Sequence, residues 1–194
     1  MNITNKILYK IRHKGRGWVF TPKDFLSIRH FNTINPLLDR LEKRGEIRSL
    51  GKGIYDYPIF NIETGKYQKP NLDAIIRVLE IQLSDKFLVS EEDAAYFFGI
   101  IKRKPTIIKY LSNKHRKEID ICGFQIKLTK TYIPASKNKY DKATLAVLAF
   151  KYLGKDKASL KIKKLILMQL NIKEKNKAIK IAKHVEWIHY LIKD

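Results

Sequence analysis

The 194-residue sequence predicts an α+β fold, with helices and a hairpin first and a mixed segment that ends in helices second. Apolar residues recur at helical spacing near the start, and two β-type runs flank a glycine-rich turn around Lys52. Three helical stretches close the chain, at 140–153, 159–170 and 173–192. This organisation predicts an N-terminal domain, a linker rich in Asn, Gly, Lys and Pro, and a C-terminal α+β domain, at 1–60, 61–71 and 72–194.

Two helices are predicted at the start of the N-terminal domain. The first covers residues 3–12, where four apolar side chains share one helix face. The second should begin at Pro22, which suits the first position of a helix. Thr21 before it and Asp24 after it can each accept a hydrogen bond from a backbone N–H of the helix start.

A third helix and a hairpin complete the predicted domain. The helix should cover 32–44, with Pro36 in its first turn. Two strands should follow at 46–50 and 54–57, joined by the tight turn Gly51-Lys52-Gly53. Four aromatic residues are expected to pack in the core, namely Trp18, Phe20, Tyr55 and Tyr57. Three helices followed by a basic hairpin are the element order of a winged helix-turn-helix.

The third helix of such a domain lies in the DNA major groove, and its first residues meet base edges. Here that end carries Asn32, Thr33 and Asn35. The two amides can pair with adenine, although either Asn could instead only cap the helix. Cations further along the helix and on the hairpin are expected at phosphates, namely Arg40, Lys43, Arg44, Arg48 and Lys52. The alternative for the three on the helix is a solvated charged face.

The overall charge also points to a polyanionic partner. Lys and Arg number 40 against 19 Asp and Glu, which gives a net charge of +21. A Lys-rich composition is equally typical of proteins from AT-rich genomes. Two other functions therefore stay open, a winged helix that docks proteins and a domain that binds RNA or the ribosome. A steep fall of affinity with salt would separate nucleic-acid binding from protein docking.

The sequence contains no recognisable active-site motif. The five histidines show no metalloprotease spacing, and no phosphate-binding loop, dinucleotide motif or serine-nucleophile motif occurs. Cys122, the single cysteine, is expected to be inert in a buried strand. We expect no enzyme, no catalytic residue, no metal and no cofactor. Without a signal-peptide core or a membrane-spanning apolar run, the chain is expected to be cytoplasmic and free of the membrane.

Several segments resemble the AbiEi-like antitoxin and transcriptional-regulator family of type IV toxin–antitoxin systems. They are 17–22 (GWVFTP), 41–48 (LEKRGEIR), 53–58 (GIYDYP), 94–99 (AAYFFG), 109–112 (KYLS) and 153–156 (LGKD). The resemblance implies a winged helix that binds repeats in its own promoter and represses it. It also implies a C-terminal domain that opposes a nucleotidyltransferase toxin, without necessarily forming a stable complex. Pro36 departs from the family pattern, which leaves the base-contacting residues open.

The C-terminal domain is expected to supply the antitoxin activity, because a repressor alone does not need so many further residues. The alternative is that it forms a homodimer that places two recognition helices one DNA turn apart. Its helices carry a lysine-rich outer face that is expected to meet an acidic partner or nucleic acid. The lysines are Lys161, Lys163, Lys164, Lys173, Lys175, Lys177 and Lys180.

Overall fold

A computed structural model describes residues 2–136 and 138–193 of the chain. The chain is a mixed α+β protein, as predicted. It divides into two compact units. We call Met1–Ser84 with Asp120–Phe124 the first unit, and Asp85–Ile119 with Gln125–Asp194 the second unit.

The first unit opens with helical and extended segments in alternation. They are α1 (Ile3–Lys14), β1 (Val19–Phe20), a 3₁₀ helix (Pro22–Phe25) and α2 (Phe31–Lys43). The helix start predicted at Thr21 is present, because the Thr21 backbone N–H donates to the Asp24 carboxylate at 2.8 Å. The expected second α-helix is wrong, since the segment forms only this 3₁₀ helix and the turns after it. Phe25 is its one fully buried side chain, which gives no apolar face along which a longer helix could pack.

Three short strands form a sheet beside these helices. Strand β2 (Arg48–Gly51) and strand β3 (Ile54–Asp56) are antiparallel, and β1 pairs with the other edge of β3. The register shifts between Ser49 and Gly51, where Leu50 bulges out of the ladder. Lys52 and Gly53 form the two-residue turn, with φ angles of 54° and 69°. Two positive φ values in a two-residue loop are the geometry that matches the twist of paired strands.

The core of the first unit lies between the two helices and the sheet. Helix α1 contributes Ile7 and Ile11, and α2 contributes Ile34, Leu38 and Leu41, all fully buried. The aromatic residues were predicted to pack here, and the structure confirms it. Phe20 and Tyr55 are buried, Trp18 and Tyr57 pack on them in part, and the Trp18 and Phe20 ring centroids lie 4.6 Å apart.

The segment predicted as a linker has structure of its own. Strands β4 (Phe60–Asn61) and β5 (Lys66–Tyr67) form a second small hairpin that begins one residue before this segment. Helix α3 (Leu72–Gln82) follows and belongs to the first unit, whereas the sequence placed it in the C-terminal domain. The cause is its apolar face, four residues of which are buried. In addition, the Arg77 guanidinium donates to the Val19 carbonyl oxygen at 3.4 Å.

The remaining elements form a four-stranded sheet and a group of helices. The strands are β6 (Phe87–Val89), β7 (Ile108–Ser112), β8 (Lys117–Ile121) and β9 (Phe124–Lys130), in the order β6-β7-β9-β8. Strand β7 is antiparallel to β6 and parallel to β9. The helices are α4 (Glu91–Phe97), α5 (Lys142–Leu153), a 3₁₀ helix (Lys155–Lys157), α6 (Leu160–Leu167), α7 (Ile172–Ala182) and α8 (Glu186–Lys193). Every residue of α5 from Ala143 to Phe150 is buried, so α5 is the central helix of the second unit.

Two expectations about this part of the chain are corrected. The helix predicted over 173–192 is two helices, because the chain turns after Ala182 and α8 folds back against α7. A ring nitrogen of His189 lies 3.1 Å from the Ile179 carbonyl oxygen across this turn. Cys122 is exposed rather than buried, because it occupies the turn between β8 and β9 with a φ of 50°. Among the described residues, no helix has the length and apolar character needed to cross a membrane.

Candidate nucleic-acid interface

Helix α2 is amphipathic, with one face in the core and the opposite face exposed. Ile34, Leu38 and Leu41 are fully buried. Asn32 and Lys43 lie on the opposite side of the helix, separated by three turns, and are exposed. Because the buried face fixes the rotation of the helix, the position of these two polar side chains is fixed as well.

The asparagines near the start of α2 do not cap the helix. His30 occupies the N-cap position, so Asn32 and Asn35 lie within the helix. Both side chains are exposed, and no hydrogen bond between described residues uses either amide. The capping alternative is therefore wrong, and both amides can bind a ligand.

Pro36 is the sixth residue of α2 and so lies in its second turn, not in the first as predicted. Proline has no N–H, so the Asn32 carbonyl oxygen has no helical donor four residues later. Asn32 is exposed, and water can therefore solvate this oxygen. Pro36 is exposed on the same face, where its compact ring leaves room for close approach of another surface.

Acidic residues divide the exposed face of α2 into two flanks. Asp39 and Glu42 lie on the flank that carries Asn35. The Tyr55 hydroxyl donates to the Asp39 carboxylate at 3.1 Å. Burial and this hydrogen bond raise the pKa of Tyr55 to about 12, so Tyr55 remains a donor at neutral pH. The flank near Asn35 therefore repels phosphate, whereas the other flank does not.

The second flank carries the cations of the helix. Thr33 and Arg40 share this flank, and Lys43 lies at the centre of the exposed face. Neither Arg40 nor Lys43 forms an ion pair with a described residue. We call Asn32, Thr33, Arg40 and Lys43 the α2 face. It combines one amide, one hydroxyl and two uncompensated positive charges.

Arg44 differs from the other two cations because it is partly neutralised. Its guanidinium lies 3.0 Å from the Glu46 carboxylate, which also lies 3.5 Å from Arg12. An exposed ion pair of this kind contributes only about 0.2–1 kcal/mol to stability. One carboxylate between two guanidinium groups still leaves one positive charge at the end of α2.

Arg48 was predicted to contact phosphate, but the structure gives it a different role. Its guanidinium donates two hydrogen bonds to Asp56, at 3.0 Å and 2.6 Å, and a third to the Gln68 carbonyl oxygen at 3.0 Å. The Asp56 side chain is only 2% exposed. The hydrogen bond to Asp56 raises the pKa of Arg48. Arg48 therefore compensates a buried carboxylate inside the fold.

Lys52 is the remaining cation of the hairpin, and it lies at the tip. Its side chain is exposed and has no partner among the described residues, and its backbone carbonyl accepts a hydrogen bond from the Gln82 side-chain amide at 3.2 Å. Gly51 and Gly53 on either side have no side chains, so the backbone there can approach another molecule closely.

Two further polar residues were missed from the sequence. Arg29 and His30 directly precede α2 and are both exposed. They lie between the start predicted for the second helix and the start predicted for the third, and no role was predicted for them. The position just before a helix was the available signal, because the free N–H groups of a helix start attract anions.

Fold and site define a class of two-unit α+β protein, in which an exposed polar helix face and a cationic hairpin tip share the first unit. Residues 6–179 match a family of unknown function, DUF6088, so the chain belongs to that family. No curated protein matches the chain.

Proposed function

We propose that the first unit is a winged helix-turn-helix that binds duplex DNA through the α2 face. The observation that carries the proposal is the α2 face itself, where an amide and two unpaired cations lie opposite a fully buried face. The order α1, β1, 3₁₀ helix, α2 and β2-β3 hairpin supports it, with the middle helix reduced to one short turn. The net charge of +21 adds long-range attraction to a polyanion.

In this proposal α2 enters the major groove. The Asn32 amide pairs with adenine, and Thr33 contacts the neighbouring base or its phosphate. Arg40 and Lys43 neutralise phosphates beside the groove, while Lys52 at the hairpin tip reaches the next stretch of backbone. The flank with Asp39 and Glu42 faces away from the phosphates, since like charges would repel there.

The test measures binding of the full chain to a labelled duplex from the region upstream of its own gene. Asn32→Ala should reduce discrimination between cognate and altered sites by about 1–3 kcal/mol, because one bidentate base contact is lost. Asn35→Ala is the matched control, since it removes the same amide from the acidic flank and should change little. Equal losses from both variants would contradict the proposed orientation of α2.

Salt dependence tests the phosphate contacts. Binding that uses Arg40, Lys43 and Lys52 should weaken with salt by about 0.9 logarithmic units of affinity per contact for each tenfold rise in salt. If the chain instead binds a partner protein tightly, with an affinity that does not depend on salt, the alternative of a winged helix that docks proteins is favoured. A preference for RNA over the upstream duplex would favour the hypothesis that the chain binds RNA or the ribosome.

We further propose that the chain represses its own promoter and opposes a nucleotidyltransferase toxin, with the second unit supplying the antitoxin activity. The second unit supports this role because it has its own core around α5. The test coexpresses the chain with a nucleotidyltransferase encoded next to its gene. The double variant Lys43→Glu with Lys52→Glu, which removes two of the proposed phosphate contacts, should still restore growth. Absence of rescue by the unaltered chain, produced at a normal level, would overturn the antitoxin role.

A further inference from the structure

Helix α6 and the start of α7 expose aliphatic side chains that a folded unit would ordinarily bury. The exposed fractions are 73% for Leu160, 43% for Leu165, 83% for Met168 and 77% for Ile172. Ile166, on the opposite side of α6, is fully buried. Thus α6 packs against the rest of the second unit through one face and leaves a second apolar face uncovered.

Lysines are interleaved with these exposed side chains. Lys161 and Lys164 lie one turn from Leu165 and Met168 respectively, on the same side of α6. Across 157–173 the sequence has five lysines and no Asp or Glu. None of the five forms an ion pair with a described residue, whereas Lys177 on α7 lies 2.8 Å from the Asp141 carboxylate. We call Leu160, Lys161, Lys164, Leu165 and Met168 the α6 face.

We infer that the α6 face binds an acidic amphipathic helix of a partner protein. The lysines require negative charge opposite them, which excludes a second α6 face because like charges would meet. Nucleic acid would satisfy the lysines but would leave three apolar side chains against polar phosphates. An amphipathic helix with acidic flanks satisfies both kinds of group, since its apolar stripe covers the aliphatic side chains. The inference goes beyond DNA binding and does not depend on it.

The test uses the full chain and a labelled synthetic helix of about 20 residues, a length that forms a helix measurably in water. Leucines occupy one face of this peptide and glutamates flank them. Fluorescence anisotropy should show binding that weakens at least about tenfold in Met168→Ser. Lys161→Glu with Lys164→Glu should weaken it at least as much. Ile107→Ser is the matched apolar control, since Ile107 is 65% exposed elsewhere in the second unit, and it should have no effect.

Three outcomes would overturn the inference. The first is equal binding of a peptide with the same composition in scrambled order, which would show charge attraction alone. The second is tighter binding to a 20-nucleotide RNA that the lysine variants abolish and Met168→Ser leaves unchanged. The third is partition onto vesicles with about one third anionic lipid that Met168→Ser abolishes, without binding of the peptide. Unchanged melting temperatures of all variants show that the comparison concerns folded protein.

Discussion

Removing the Arg48 guanidinium should destabilise the first unit and spare its affinity for DNA. In Arg48→Ala the Asp56 carboxylate loses both of its charge-assisted hydrogen bonds while its side chain stays almost fully enclosed. Leaving a buried charge without its partner costs about 3–5 kcal/mol. The Arg48 side chain is 28% exposed, so water can enter the vacated space and lower the cost. We expect a loss of about 2–4 kcal/mol in the free energy of unfolding.

The assay is urea unfolding followed by tryptophan fluorescence. The chain has two tryptophans, Trp18 in the first unit and Trp187 in the second. In a Trp187→Phe background the signal reports on the first unit, where Trp18 packs on the core. The urea midpoint of Arg48→Ala should fall, with the slope unchanged. Arg48→Lys keeps the charge but not the paired geometry of the two hydrogen bonds. Its urea midpoint should lie between that of the unaltered chain and that of Arg48→Ala.

Lys52 is the other cation of the same hairpin, so Lys52→Ala is the matched control. It should leave stability almost unchanged and alter DNA binding, the opposite of Arg48→Ala. The side chain is exposed at the turn, so the unfolding free energy should change by no more than about 0.5 kcal/mol. The salt slope of DNA binding should flatten by about 0.9. If Arg48→Ala instead leaves stability intact and flattens the salt slope, Arg48 contacts phosphate and the reasoning from its hydrogen bonds is refuted.

Three further predictions follow from single residues. Pro36→Ala restores the missing N–H to α2 and should raise the unfolding free energy of the first unit by at least about 1 kcal/mol, measured by the same urea assay; a decrease would contradict it. Burial alone would raise the pKa of Glu91, but its backbone N–H, Lys151 and Lys109 together lower it, so Glu91→Gln should destabilise the second unit at pH 7. The difference in stability, followed by Trp187 fluorescence, should vanish as the pH falls through the lowered pKa of Glu91. A difference that persists in more acidic solution would count against the prediction. Cys122 is exposed, so a maleimide should label it at similar rates in folded and urea-unfolded protein; strong protection when folded would contradict this placement.

The sequence predicted the positions of local signals better than the lengths of the elements. The Thr21 and Asp24 hydrogen bond could be predicted because both partners lie within one turn. The length of the helix after it could not, because length depends on which side chains a distant core buries. In the same way, the buried face of α3 assigned it to the first unit, although its sequence looked like the start of another domain.

The candidate site was predicted in composition but not in detail. Exposure of Asn32, Arg40 and Lys43 follows from the helical period, so the sequence sufficed. The role of Arg48 depends on its register with Asp56 across a bulged hairpin, and on the burial of that carboxylate. Neither the register nor the burial of Asp56 can be predicted from the charges of the two residues alone. Cys122 could have been placed correctly, since the following Gly123 is a turn signal between two strand patterns.

The left-handed backbone at Lys52 has a consequence for how the chain can be improved. A residue with a side chain costs about 1–2 kcal/mol in this conformation, whereas glycine adopts it freely. Glycine at position 52 would therefore tighten the hairpin and at the same time remove its only cation at the tip. If Lys52 contacts phosphate as proposed, thermostability and DNA binding are in conflict at this one residue, and a selection for heat resistance alone would weaken DNA binding.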